Sequence, residues 1–173
     1  GLRAPTAAVV AELRRQHEAV KALLQKAGTS CAAVGAVTQL TWYNRLPAQT
    51  LLTVADCRAL ADVIKTSGLP RLEDLNVSGN RFGAEGMQAL AEGLGSGALP
   101  SLPYLNLYNI GIGEAAASAL GAALGRGALP HLQVLVLGGN KIGSAGLIAL
   151  APALRVQPQL KRLDLDTNGI GDD

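Results

Sequence analysis

LEDLNVSGN at residues 72–80, LPYLNLYNI at 102–110, LQVLVLGGN at 132–140 and LKRLDLDTN at 160–168 are four versions of one nine-residue phrase. Their first leucines, Leu72, Leu102, Leu132 and Leu160, are 30, 30 and 28 residues apart. A period of this length marks an array of stacked units, each too small to bury its apolar face alone. The first, fourth and sixth residues of each phrase are apolar, so a short strand turns one side inward and its alternate residues toward solvent. The expected core is Leu72/Leu75/Val77, Leu102/Leu105/Leu107, Leu132/Leu135/Leu137 and Leu160/Leu163/Leu165. Asn80, Asn140 and Asn168 close three of the phrases, where a short amide can satisfy neighbouring backbone groups. In the phrase at 102–110 that position holds Ile110, with Asn109 displaced by one.

Each phrase but the last is followed by a second recurring segment: RFGAEGMQALAEGL at 81–94, GIGEAAASALGAAL at 111–124 and KIGSAGLIALAPAL at 141–154. Met87/Leu90/Leu94, Ala117/Leu120/Leu124 and Leu147/Leu150/Leu154 fall three and four positions apart, on one face of a helix. The many small residues let adjacent helices approach closely. Pro152 removes a backbone donor within the third of these segments and predicts a shortened or kinked helix. Pro70, Pro100, Pro130 and Pro158 stand two positions before the repeat leucines, where they end a helix and extend the chain.

The phrase resembles the LxxLxLxxN signature of leucine-rich repeats, and the long helix-containing units resemble the ribonuclease-inhibitor type over roughly residues 50–173. The resemblance implies an α/β solenoid with short parallel strands on a concave face and helices on the convex face. TVADCRALADVI at 53–64 lies one period before the first helical segment, but the strand phrase expected near 42–50 is degraded, as in an N-terminal cap. The expected organisation is a helical cap or flanking segment over 1–50 and a repeat array over 51–173. The array stops at Gly171-Asp172-Asp173, where another helix is due, and is expected to be truncated there or covered by a partner.

Before the array, residues 6–27 predict an amphipathic helix with Val10, Leu13, Val20 and Leu24 near one face, Pro5 before it and Gly28 after it. His17 is expected to be a packing or surface residue, and Arg14, Arg15, Lys21 and Lys26 a solvated basic face. Trp42 and Tyr43 are expected to seal the end of the core.

The chain's 173 residues carry 15 basic and 13 acidic groups, and 49% are hydrophobic. This balance argues against a nucleic-acid binder and against general disorder. Cys31 and Cys57 lack a metal-ligand spacing and are expected to be free, small apolar residues. No stretch approaches eighteen uninterrupted apolar residues, so no membrane insertion is expected, and the location is expected to be intracellular, in the cytoplasm. No HExxH, GxSxG or GxxxxGK[ST] motif is present, so neither an enzyme, a cofactor nor a small-molecule substrate is expected. Asp164, Asp166, Asn168 and Asp172 match the opening of a calcium loop, but the repeat phrase already accounts for these residues.

Strand alternation places Asp74/Asn76/Ser78, Tyr104/Asn106/Tyr108, Val134/Val136/Gly138 and Arg162/Asp164/Asp166 on the outward face. The candidate protein-binding residues are Asp74, Asn76, Tyr104, Asn106, Tyr108, Val134, Val136, Arg162, Asp164 and Asp166. Tyr104 and Tyr108 lead, because tyrosine combines apolar area with a hydrogen-bonding tip. The expected function is a protein-interaction scaffold or recognition module with a protein partner of unknown identity. The alternatives are a non-catalytic structural subunit of a larger assembly, or a regulatory fragment like those of GTPase activators and NOD-like receptors, which the repeat class also resembles.

Overall fold

The computed structural model describes residues 7–27, 36–42, 51–67, 69–95 and 97–171. Five strands, β1 (Gln39–Thr41), β2 (Asp74–Asn76), β3 (Tyr104–Asn106), β4 (Val134–Val136) and β5 (Arg162–Asp164), pair in chain order as one parallel sheet. Helix α1 (Ala7–Lys26) precedes them, and α2 (Val54–Ser67), α3 (Gly83–Gly93), α4 (Gly113–Gly125) and α5 (Gly143–Arg155) alternate with them. The result is an alternating strand–helix solenoid with its core between sheet and helices.

The pairing register follows the repeat: Leu40, Leu75, Leu105, Leu135 and Leu163 are successive partners across the sheet. Leu75, Leu105 and Leu135 are buried, and so are Leu72, Val77, Leu102, Leu107, Leu132 and Leu137. Met87, Leu90, Leu94, Ala117, Leu120, Leu124 and Leu150 meet them from the helices. Leu147, Leu154, Leu160, Leu163 and Leu165 are only half-buried, because the last unit is packed from one side.

The first unit departs from the expected spacing. Its described strand stands at 39–41, ahead of the stretch where the phrase was expected, and Leu40 and Trp42 take the places of Leu75 and Val77. VTQLTW at 37–42 is therefore the repeat phrase, with tryptophan as its last apolar residue. Trp42 is fully buried, as expected of a residue sealing the core, while Tyr43 lies outside the described residues.

Buried asparagines tie the turns together. Asn140 Nδ2 donates to the carbonyls of Leu107 and Leu137, and its Oδ1 accepts from the amides of Ile110 and Gly111. Asn80 bonds Trp42, Val77 and Leu52, and Asn168 bonds Leu137, Leu165, Asn140 and Ile142, in the same pattern. Ile110 fills the corresponding slot without exposure. Asn109 does not compensate: it takes the left-handed turn position (φ 51°) that Gly79 and Gly139 take in the neighbouring units. The amides of Asn80 and Phe82 accordingly receive no side-chain oxygen from the β3 unit.

Leu69, Leu99 and Leu129, each just before a proline, also adopt positive φ, of 40°, 49° and 56°. A non-glycine residue there costs roughly 1–2 kcal/mol. Each leucine is fully buried, and burying that side chain contributes about 1.5–3 kcal/mol, enough to hold the tight turn leading into the strand.

Helix α5 contains Pro152 yet runs on to Arg155, matching α4 at 13 residues. The expected shortening does not occur; the carbonyl deprived of its donor is that of Ile148, a residue that is 73% exposed. Small residues do bring helices together: a Cβ on Gly93 of α3 would lie 2.6 Å from Ala61 Cα of α2. Gly93→Ala is therefore expected to destabilise by about 1–2 kcal/mol, overpacking outweighing the roughly 1 kcal/mol gain in helix propensity. Gly125→Ala, whose Cβ would meet only Ala153 Cβ at 4.0 Å, is expected to be neutral or stabilising. Urea titration of both variants checks the contrast.

Helix α1 is anchored through its C-terminal turns, where Leu23 and Leu24 are buried. The side chains of Val10 and Leu13 lie outside the described residues. Arg14, Arg15, His17 and Lys21 are exposed, but Lys26 is not part of a solvated face. Its Nζ lies 2.7 Å from Asp56 Oδ2, which also accepts from the Thr53 amide and hydroxyl at the start of α2. Burial alone raises the pKa of Asp56; the bonds from Lys26 and Thr53 outweigh it and hold the carboxyl below its ordinary value.

Candidate functional site

The outward side chains form three rows across the sheet. The pairing puts Gln39, Asp74, Tyr104, Val134 and Arg162 in the first row and Thr41, Asn76, Asn106, Val136 and Asp164 in the second. Ser78, Tyr108, Gly138 and Asp166 follow two residues after the second row and form the third. All ten candidate residues thus share one face, at spacings of about 4.8 Å between strands and 6.6 Å along them. Gln39 and Thr41 join that face as well. Sequence alignment on the helical segments missed them, although VTQLTW carries the signal.

The middle row is held in place by its own backbone. Asn76, Asn106 and Asp164 each accept, through Oδ1, the amide two residues ahead, at 3.0–3.1 Å. These local turns fix the side chains at the strand ends. Asn106 Nδ2 also donates to the Tyr104 hydroxyl at 3.3 Å, which steadies that ring against the sheet. Tyr104, Val134 and Val136 are half-buried neighbours, and Tyr108 is 48% exposed. Together they make an apolar centre bordered by acidic groups.

At one border, Asp74 Oδ1 is buried without a hydrogen-bond partner, and burial raises the pKa of the carboxyl. At the other border are Asp164, half-buried, and Arg162 and Asp166, both exposed. Asn168 is turned away from them, its amide committed to the turn bonds already described, so the calcium-like spacing does not give a convergent set of ligands. Asp172 lies outside the described residues.

Cys57 is a free, buried thiol whose pKa is pushed up to about 12, chiefly by desolvation and further by the nearby Asp56 charge. Cys31 lies outside the described residues. His17 and His131 are exposed, and no group of three or more His, Cys, Asp or Glu among the described residues could hold a metal ion. Among those residues no helix is long and apolar enough to cross a membrane. The sequence carries no HExxH, GxSxG or GxxxxGK[ST] motif.

A search of curated proteins finds no match to the chain. Residues 69–91 and 128–151 match the family model described as Leucine Rich repeat. The first match spans β2 and most of α3, and the second spans β4 and most of α5, so both coincide with strand–turn–helix units of the solenoid. The chain therefore contains a leucine-rich-repeat domain.

Proposed function

We propose that this domain is a protein-recognition module of the ribonuclease-inhibitor-like type, and that its sheet face, taken as concave, receives the partner. The ten candidate residues from Asp74 to Asp166 form the contact surface, with Tyr104 and Tyr108 as anchors. The exposed Tyr108 ring beside half-buried valines carries the reading, since a rigid aromatic on an apolar floor loses little entropy on binding. The carboxylates on the face disfavour nucleic acid. The buried free thiol Cys57 fits the cytoplasm.

Affinity capture with the Tyr104→Ala/Tyr108→Ala double variant tests the role. The captured protein is expected to bind at least about 2 kcal/mol more weakly, with circular dichroism unchanged. Undiminished affinity for every captured protein would remove the two tyrosines from the interface.

A further inference from the structure

Tyr108 leans across the neighbouring unit. A Cβ built on Gly138 would meet Tyr108 Cδ2 at 3.1 Å, and the same point lies 3.3 Å from Asp164 Oδ1 and 3.3 Å from the Asp166 carbonyl oxygen. Gly138 is thus the floor of a corner, with a half-exposed tyrosine ring on one side and, on the other, the Asp164 carboxylate and the backbone of Asp166, whose exposed side chain follows in the same outward row. Asp164 is held in place through Oδ1, which accepts the Asp166 amide at 3.1 Å. Among the described residues neither Asp164 nor Asp166 forms an ion pair, and Arg162 on the same strand is not bonded to either.

We infer that this corner receives one arginine side chain of the protein that occupies the sheet face. The inference rests on the recognition role proposed above and names the chemistry of one contact within it. Among the described residues of its outward rows the face carries three carboxylates, Asp74, Asp164 and Asp166, against one cation, Arg162, so its charge complement is basic. A guanidinium is planar and weakly hydrated: it can lie on the tyrosine ring while its fork reaches the aspartates. A lysine ammonium has no flat face to stack and holds its water more strongly. Gly138 is essential to the shape, because a side chain there would lift the ring away from the carboxylates.

The test is a titration of the whole chain with acetyl-arginine methylamide, followed by proton–nitrogen correlation spectra. Acetyl-citrulline methylamide, the uncharged isostere, and acetyl-lysine methylamide run in parallel. Arginine is expected to shift the amides of Gly138, Gly139, Asp164 and Asp166 saturably, with citrulline and lysine each ~fivefold weaker. The Asp164→Asn/Asp166→Asn variant keeps the side-chain oxygen that accepts the residue-166 amide, so it is expected to fold and to lose the response. Equal responses to arginine and citrulline, equal responses to arginine and lysine, or shifts that survive the double substitution overturn the proposal. A captured partner lost by the Tyr104/Tyr108 variant but held at full affinity by the Asp164/Asp166 variant overturns the arginine corner while leaving the recognition face intact.

Discussion

Replacing Asn140 by alanine is expected to lower the unfolding free energy by about 3–5 kcal/mol, among the largest losses a single substitution in this chain can produce. The side chain has no exposure and serves two units at once. Its truncation strips a partner from the Ile110 and Gly111 amides on one side and from the Leu107 and Leu137 carbonyls on the other. Each buried group left unsatisfied costs roughly 1–3 kcal/mol. Leu137 recovers part of this, because its carbonyl also accepts Asn168 Nδ2. The damage falls on the junction of the β3 and β4 units, so cooperativity should suffer along with stability. The single tryptophan, Trp42, reports on the first unit, and far-ultraviolet circular dichroism reports on all of them. In urea the two signals should coincide for the parent chain and separate for Asn140→Ala. A loss below about 1 kcal/mol would mean that water or a backbone shift satisfies the stranded groups as well as the amide does.

The Asn140 slot was legible in the sequence, because a polar residue closing an apolar phrase at a fixed period has few other reasons to recur. The strands, the helical faces and the outward rows were legible for the same reason: periods of two and of three to four residues determine direction without any knowledge of neighbours. What stayed hidden depends on register between units. Aligning TVADCRALADVI with the later helices put the first strand five residues too late, since the connection from Trp42 to Leu52 is longer than that from Val77 to Phe82. Asn109 looked like a displaced slot residue, but a left-handed turn position accepts asparagine for its backbone alone. Pro152 suggested a break within the helix, yet α5 runs on to Arg155. The corner over Gly138 unites residues about one repeat apart, and only the leaning Tyr108 ring shows that they share a space. Lys26 likewise looked solvated until α1 was packed on α2.

Trp42 allows the energetic weight of the irregular first unit to be measured. It occupies a position held by valine or leucine in the other units, and it is fully buried there. Trp42→Ala should cost about 3–5 kcal/mol, through lost burial and a cavity that the short strand β1 cannot close. Because each unit touches only its neighbours, hydrogen exchange should accelerate at β1 and α2 while β3 and β4 keep their protection. Trp42→Phe separates packing from polarity. The indole Nε1 is buried and has no hydrogen-bond partner, so phenylalanine removes an unsatisfied donor while keeping most of the ring volume. Its cost should stay below about 1.5 kcal/mol, the range of a tolerated apolar exchange. A phenylalanine variant as unstable as the alanine one would show that the indole N–H is bonded in solution. A small loss in both would show that the repeat units carry the stability and that the first strand rides on them.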